Sequence, residues 1–494
     1  MSLACKFASA GLVRKRWTAG CTSAVTLSLL CACAQIPDID KSGRPRSVDA
    51  MASARSFDVP LGEWPTSQWW QAFGDSQLDQ LVAEALAKSP SIEQAGARLR
   101  EAAARAGLAR AARLPSLGLA AAADERKLTY KGIFPPNAVP RDWNDFGRAT
   151  LDFSWELDFW GKNRMGLESA VSEVRASEAE DAAARVLLTT SVAQAYVQVQ
   201  DLFVQSDLAR DELKTVEASE HLVNRRFAEG LETEAALEQA RARSHQATAQ
   251  VAEVSERMSL ARDALAALTG QGPDRGLQVS RVDLSTRRPF GLPAALAADL
   301  LGRKPEVVAA RWRVEAAAMR IGVAKTAFYP NVNLLAFVGF ESLGLKNLGT
   351  SGSDTGSVGV AIHLPIFDGG RLAANYRAAG AQYEAAVAGY DAALTQALRE
   401  TADAARSLQS LDARLRPTQA ALASGEKAYR LARRRYEEGL SDFQSVLTTE
   451  DAVLQIRRAE AALRTRGVLL DIALIKALGG GFETDPQMQT LVAQ

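Results

Sequence analysis

The fold of this chain is indicated by one nine-residue stretch, which reads Leu151-Asp152-Phe153-Ser154-Trp155-Glu156-Leu157-Asp158-Phe159. Large apolar residues alternate with polar ones without a fault, and this two-residue period is that of a β-strand with one apolar and one polar face. A weaker copy of the pattern follows at 358–364. We predict partner strands at about 116–129 and 331–342, each joined to its neighbour by a loop rich in turn-forming residues.

The apolar face of such a strand is expected to pack against protein or lipid. One explanation is a soluble sandwich strand with a single solvated face. The other is an outer-membrane strand, which would turn Phe153 and Trp155 to lipid and Asp152, Glu156 and Asp158 to a water-filled lumen. The aromatic residues near the strand ends would then form an interfacial girdle; they are Trp143, Phe146, Phe159 and Trp160.

Four strands cannot close a membrane barrel, and an open sheet edge is not tolerated in lipid. Several chains must therefore share one barrel if these strands span a membrane. Two chains would give eight strands and an interior filled by side chains, whereas three would give twelve strands and leave a lumen.

The chain consists of two copies of one plan. Residues 81–119 and 296–334 align without a gap at an offset of 215, with 14 of 39 positions identical, and a second match at offset 209 relates 222–231 to 431–440. We expect an internal duplication divided as follows: signal peptide 1–32, lipidated extended segment 33–75, first repeat 76–290, second repeat 291–482 and C-terminal tail 483–494.

Each copy should contain a helix, a strand pair and then long helices. The Ala-rich segments 76–113 and 291–328 carry apolar residues at helical spacing and end at prolines. A helix over about 164–228 would be roughly 95 Å long. Pro417 predicts a kink or a break in the corresponding helix of the second copy.

The N-terminus has the pattern of an export signal. Four basic residues and no acidic one occur in 1–32, and the apolar, uncharged stretch 17–32 follows them. Leu30-Cys31-Ala32-Cys33 resembles a bacterial lipoprotein cleavage box, with Cys33 as the lipidated first residue of the mature chain. An ordinary signal peptide that contains cysteine is the alternative.

Composition argues against several function classes. The 58 Lys+Arg balance the 58 Asp+Glu, so no global field attracts nucleic acid. All four Cys lie in the first 33 residues and only three His occur, which argues against a metal site built from Cys/His clusters and against a disulfide framework in the rest of the chain. We find no catalytic constellation and expect no enzyme and no cofactor. The Arg pairs at 225–226 and 434–435 are interpreted as a solvated helix face.

Five motifs occur in order along the duplicated frame: Trp69-Trp70-Gln71-Ala72-Phe73-Gly74-Asp75, Phe153-Ser154-Trp155-Glu156-Leu157-Asp158-Phe159-Trp160-Gly161, Arg320-Ile321-Gly322-Val323-Ala324-Lys325 with Phe328-Tyr329-Pro330, Leu364-Pro365-Ile366-Phe367-Asp368-Gly369-Gly370-Arg371, and Lys476-Ala477-Leu478-Gly479-Gly480-Gly481. Together they resemble the outer-membrane factor family, the TolC-type channels, and specifically the lipoprotein branch that serves resistance–nodulation–division (RND) efflux pumps.

This resemblance implies an α+β membrane protein, a homotrimer in which four strands per chain form a twelve-stranded outer-membrane β-barrel. A long periplasmic α-helical barrel would continue it. The implied function is the exit duct of a tripartite efflux system, which passively conducts small molecules to the exterior. The implied partners are a periplasmic adaptor (a membrane fusion protein), an inner-membrane RND transporter and outer-membrane lipid.

The same resemblance assigns roles to the helix turns. Gly230, Leu231, Gly439 and Leu440 are candidates for adaptor docking, and folding back of the two leucines is the alternative. Family members close the periplasmic end with acidic side chains, which makes Asp442, Glu232 and Glu234 the gate candidates. Asp442 could instead simply cap the helix that begins near Phe443.

Two other functions stay open at this stage. A type I secretion outlet would share the fold, and a periplasmic coiled-coil adaptor lipoprotein would share the anchor and the helices but not the alternating strands. The exported substrate is not predicted by the sequence.

Overall fold

The structure is a computed structural model that describes residues 36–39, 43–46, 62–131, 135, 137–283 and 301–483. Cys33, the predicted signal peptide and the tail after Glu483 lie outside the described residues.

Helices and strands follow one another in the predicted order in both copies. After a 3-10 turn (Trp69–Phe73), the first copy contains α1 (Ser76–Lys88), α2 (Pro90–Ala111), β1 (Ser116–Arg126), β2 (Asn144–Glu156), α3 (Lys162–Ala228), α4 (Glu234–Leu268) and the short α5 (Asp274–Leu277). The second copy contains α6 (Pro305–Thr326), β3 (Asn331–Leu343), a 3-10 turn (Leu345–Asn347), β4 (Asp354–His363), α7 (Arg371–Glu437) and α8 (Phe443–Ala477).

Corresponding helices of the two copies have the same length and the same spacing along the chain. Helices α2 and α6 both have 22 residues and start 215 positions apart. Helices α3 and α7 both have 67 residues, and α4 and α8 both have 35, at an offset of 209. The offsets found in the sequence therefore recur in the secondary structure.

Prolines act differently from the sequence prediction at two places. The helical segment predicted at 76–113 is two helices, because Ser89 adopts an extended backbone (ψ 127°) ahead of Pro90. The residue before a proline is disfavoured in the α conformation, which explains the break. Pro417, in contrast, lies inside α7 and does not end it, so the prediction of a break there is wrong.

The four strands form one antiparallel sheet in the order β1-β2-β3-β4. Strand β2 begins at Asn144 and ends at Glu156, so the prediction that it spans 151–159 is wrong at both ends. None of the helices that the structure describes is both long enough and apolar enough to cross a membrane.

Two compact units divide the chain. One contains the whole sheet and comprises the described parts of Met1–Arg44 together with Ala102–Val174 and Arg313–Val387. The other is helical and comprises the described parts of Pro45–Glu101, Arg175–Trp312 and Ala388–Gln494. Each unit takes segments from both sequence copies.

In the sheet-containing unit, the N-terminal segment lies along α7. Ile36 and Ile39 pack against a small core of Phe328, Leu372 and Tyr376. Gly380 of α7 has no side chain where Ile39 lies, and a Cβ at that position would clash with it. Gly43 lies near Glu384 and Val387, and the N–H of Arg46 donates to Asp391. The N-terminal segment therefore starts near the end of α7 that follows β4 and runs along the helix away from that end.

The helical unit has its larger core beside the N-terminal 3-10 turn. Trp69, Leu78, Leu81 and Tyr196 are all buried in it. The Tyr196 hydroxyl donates to the carboxylate of Asp75, which also accepts the backbone N–H of Gln77 at the start of α1. A second core, described below, lies where α3, α4, α7 and α8 meet at their turns.

Candidate functional site

One face of the sheet is apolar and exposed. Directly paired residues of an antiparallel sheet share a face, so the register sorts the side chains of all four strands. One face carries Leu117, Leu119, Leu151, Phe153, Trp155, Leu334, Val338, Phe340, Val358, Val360 and Ile362. Leu119 and Val358 are both 78% exposed, and Ile362 is 69% exposed. A continuous apolar surface across four strands marks a contact with lipid or protein.

The opposite face is largely polar. It carries Arg148, Thr150, Asp152, Ser154, Glu156, Asn331, Asn333, Glu341, Thr355, Ser357 and His363. The guanidinium of Arg148 lies 3.8 Å from the carboxylate of Glu341 and 5.2 Å from the ring centre of Phe337, an exception on this face. The register thus places Asp152 and Glu156 on one face of the sheet and Phe153 and Trp155 on the other, as the alternation predicts.

Asp158 is not part of the sheet, although the sequence analysis expects it on the polar face of the strand. It follows the end of β2, and its two carboxylate oxygens accept the backbone N–H groups of Asn163 (3.1 Å) and Arg164 (2.8 Å). A carboxylate suits this position, since the first N–H groups of a helix lack partners within the helix. Asp368 binds the N–H groups of Gly370 and Leu372 in the same way at the start of α7.

The predicted aromatic girdle also needs a correction. Phe146 is buried on the polar face, where the guanidinium of Arg126 lies 3.8 Å from its ring centre. Trp143, Phe159 and Trp160 are exposed, and Trp160 is held by stacking on Tyr329 at 4.9 Å. Phe146 therefore does not belong to the apolar side of the sheet.

The turns after α3 and α7 have the same geometry. Gly230 (φ 74°) and Gly439 (φ 77°) are left-handed, a conformation that glycine adopts without a Cβ clash. In each turn, the backbone N–H groups of the glycine and of the following leucine donate to carbonyl oxygens in the last turn of the helix. The Leu231 N–H donates to the Arg226 carbonyl (2.8 Å), and the Leu440 N–H donates to the Arg435 carbonyl (2.7 Å). This is the Schellman arrangement that ends helices at glycine.

The two leucines of these turns are exposed side chains. Leu231 is 61% exposed and Leu440 is 63% exposed, so neither folds back into the core of its own chain. Beneath them lies a buried group that we call the tip cluster; it consists of Val223, Leu237, Ala240, Tyr436, Phe443, Val446 and Leu447. Its members come from all four helices that meet at the two turns.

Polar contacts tie the two turns together at the tip cluster. The Tyr436 hydroxyl donates to the carboxylate of Glu232 (2.8 Å) across the two copies. Arg226 donates to the Tyr436 carbonyl (3.0 Å), and its guanidinium lies 4.6 Å from the tyrosine ring centre. Burial raises the pKa of the Tyr436 hydroxyl, and the Glu232 carboxylate raises it further, so the hydroxyl keeps its proton as donor.

Asp442 caps α8, as the alternative interpretation of this residue predicts. Its carboxylate accepts the backbone N–H (3.0 Å) and the hydroxyl (2.6 Å) of Ser445, and these hydrogen bonds hold the pKa of Asp442 below its usual value. Thr233 caps α4 in the first copy through the N–H of Ala236. Glu234 is the exposed first residue of α4. The three gate candidates thus have three different local environments.

Tyr436 was not identified as a functional residue from the sequence. The interpretation of Arg226 as part of a solvated helix face is wrong, because its side chain contacts Tyr436. A signal was present: at offset 209, Tyr436 corresponds to Phe227, so only the second copy has a hydroxyl there. Phe227 is exposed whereas Tyr436 is 1% exposed. The difference between the copies marks the residue that bridges them.

Known proteins resemble this chain over both copies. The sequence model of the outer membrane efflux protein family matches residues 81–271 and 296–480. The chain belongs to the outer membrane efflux protein family. It is therefore an outer-membrane efflux channel and not an enzyme, as the sequence predicts.

Individual relatives resemble the chain in sequence, and solved structures resemble it in fold. The fusaric acid resistance protein FusA of Burkholderia cepacia is 38% identical over 68% of this chain and 63% of its own length. The pyoverdine export outer membrane protein OpmQ of Pseudomonas aeruginosa is 30% identical over 93% of this chain and 98% of its own. The crystal structure of the outer membrane protein VceC of Vibrio cholerae has a TM-score of 0.79 and 42% identity, covering 85% of this chain and 100% of that one.

The cap and the gate roles of Asp442 can be separated by two substitutions. Ser is also a favoured N-cap, so Asp442→Ser removes the charge and keeps the cap, whereas Asp442→Ala removes both. If the charge closes the channel, both variants should raise the resting conductance in planar bilayers. An increase in Asp442→Ala alone would leave Asp442 only its capping role.

Proposed function

We propose that the sheets of three copies of this chain together form one twelve-stranded barrel, which is the exit duct of a tripartite RND-type efflux system. Passive conduction through its lumen would carry small organic molecules from the periplasm to the exterior. The names of FusA and OpmQ refer to fusaric acid and pyoverdine, and we place the cargo of this chain in the same broad class of small organic compounds.

The observation that carries this proposal is the separation of the two sheet faces. Apolar side chains cover one face from β1 to β4, and their exposure in the single chain leaves them without an internal cover. Strands β1 and β4 each have one unpaired edge in the sheet. Closure with further copies satisfies those edges, and lipid then covers the apolar face.

Neighbouring residues of β4 provide a matched test of this proposal. Val358 is on the apolar face and Ser357 on the polar face. Arginine on the lipid face near the midplane costs about 2–4 kcal/mol in each chain. Val358→Arg should therefore strongly reduce the yield of heat-modifiable trimer in outer membranes. Ser357→Arg should assemble normally and shift the ion selectivity of the pore toward anions. Equal assembly of the two variants would contradict the proposal.

A lipid anchor on Cys33 is compatible with the position of the N-terminal segment. Ile36 lies against Phe328 and Leu372, which are close in sequence to the sheet ends at Asn331 and His363. Cys33 precedes Ile36 by three residues in the sequence, and a stretch of that length spans at most roughly 11 Å when fully extended. We infer that acyl chains on Cys33 enter the membrane beside the barrel.

Replacement of the cysteine tests the anchor. Cys33→Ser should abolish metabolic labelling with palmitate, because no acyl acceptor is left at the cleavage box. The trimer should still assemble, since the barrel is an independent membrane anchor. Labelling that persists in Cys33→Ser would remove the assignment.

The exposed turns support adaptor docking at the tip. Leu231 and Leu440 project from turns whose backbone is fixed by a left-handed glycine and two hydrogen bonds. Such rigid apolar points are suited to contact with a partner, because little conformational entropy is lost on binding. We infer that the adaptor's helices contact both leucines, and that an inner-membrane RND transporter drives the assembly.

A charge at the turn should separate docking from assembly. Leu440→Asp should preserve trimer formation but eliminate efflux, measured as loss of resistance in cells that carry the complete system. Leu260→Asp is the control, since Leu260 on α4 is equally exposed (62%) and lies far along the helix from the turn. Normal efflux from a stable Leu440→Asp trimer would argue against the tip as the docking site.

A further inference from the structure

A cavity of about 270 Å³ lies in the helical unit between α3, α7 and α8. Lys214, Thr215 and Ala218 line it from α3, Tyr429 and Arg433 from α7, and Glu450, Val453, Leu454 and Arg457 from α8. It adjoins the tip cluster, because Tyr429 packs against that cluster and Glu450 follows its members Val446 and Leu447 on α8. None of the roles proposed above uses this cavity.

Glu450 is the unusual residue of the cavity. It is 1% exposed, and neither of its carboxylate oxygens accepts a hydrogen bond from any residue that the structure describes. A buried ionised carboxylate without hydrogen bonds is costly, so such a group takes up a proton more readily than in water. Burial accordingly raises the pKa of Glu450 above its usual value of about 4.5.

Other charged and titratable side chains from four helices surround Glu450. They are Lys214 and Glu212 on α3, Arg243 on α4, Tyr429 and Arg433 on α7, and Asp451 and Arg457 on α8. Arg243 and Arg433 lower its pKa whereas Asp451 and Glu212 raise it. The three nearby arginines are already paired with other carboxylates, Arg243 with Asp451. Arg433 pairs with Glu437 (3.0 Å) and Arg457 with Glu426 (2.7 Å).

The first copy has no acidic residue at the position that corresponds to Glu450. At offset 209 the counterpart of Glu450 is Arg241, an exposed residue that pairs with Glu238 (2.7 Å). The buried carboxyl is therefore a feature of the second copy alone, as is the Tyr436 hydroxyl that bridges the two turns.

We propose that Glu450 and this cavity form a proton-binding site that couples periplasmic pH to the packing of the tip cluster. With the proton bound, the neutral carboxyl leaves the helices packed around the cavity. When the proton leaves, the buried charge draws Arg433 away from Glu437. Arg433 lies three residues before Tyr436 on α7, so this movement loosens the contact between Tyr436 and Glu232.

The direction of the pH effect follows from the raised pKa. Below about pH 4.5 the carboxyl is protonated in both the folded and the unfolded chain and has no effect on their balance. As the pH rises, the unfolded chain loses this proton first. The free energy of unfolding then falls until the folded-state pKa is passed.

A neutral replacement tests the site on the intact channel. The variants are Glu450→Gln, with Glu450→Met as a second neutral form, and Glu217→Gln as the control at an exposed glutamate of α3. Between pH 5 and pH 8, the Tm of the wild-type assembly should fall by roughly 2 °C more than that of Glu450→Gln. Glu217→Gln should behave like the wild type.

Conductance in planar bilayers gives the functional readout, and this part of the inference depends on the proposed channel function. Leak through the resting wild-type channel should rise with pH on the periplasmic side, whereas leak through Glu450→Gln should stay at the wild-type pH 5 level. Equal pH profiles for wild type and Glu450→Gln, or a wild type without pH dependence, would overturn the inference. Failure of both neutral variants to assemble would also overturn it, since a neutral group would then be incompatible with the fold. Absence of conductance in every protein would instead contradict the channel function, and the Tm profiles would still decide the proton site.

Discussion

The structure depends on the unsatisfied surface of a four-stranded sheet. Each edge strand presents backbone N–H and C=O groups without partners in the sheet, and a face that extends from Leu117 to Ile362 is apolar and exposed. In a membrane interior every backbone polar group needs a partner, so a sheet of this size is unstable there alone. Closure with identical sheets pairs the edge strands, and it leaves the apolar face on the outside, where lipid can cover it.

The long helices occur in both copies with the same lengths. Equal helix lengths in the two copies place equivalent glycine turns at the ends of α3 and α7. The two turns are alike in backbone but not in side chains. Tyr436, Glu232 and Arg226 bridge them, and the buried Glu450 lies close to that bridge. Tyr436 and Glu450 thus lie at two positions where the second copy differs from the first, which has Phe227 and Arg241 there.

Patterns that repeat were predictable from the sequence. The alternation around Phe153 and Trp155 assigned side chains to faces, and the offsets of 215 and 209 predicted equal copies. Family membership confirmed the channel function. Single-residue contacts were harder to predict. Asp158 continues the polar alternation but binds a helix N-terminus. Phe146 lies on the polar face because β2 begins earlier than predicted and therefore includes it. Tertiary packing, which local pattern does not contain, placed Tyr436 and Glu450 in the interior.

Solvent and lipid accessibility along β4 tests the central claim most directly. Nitroxide labels would be attached to single cysteines at 358–362 in the channel reconstituted into lipid bilayers. Labels at 358, 360 and 362 should be relaxed by oxygen, which partitions into lipid, and those at 359 and 361 by a water-soluble nickel complex. Relaxation of all five labels by the nickel complex, or the reverse alternation, would contradict the account that lipid covers the apolar face of the sheet.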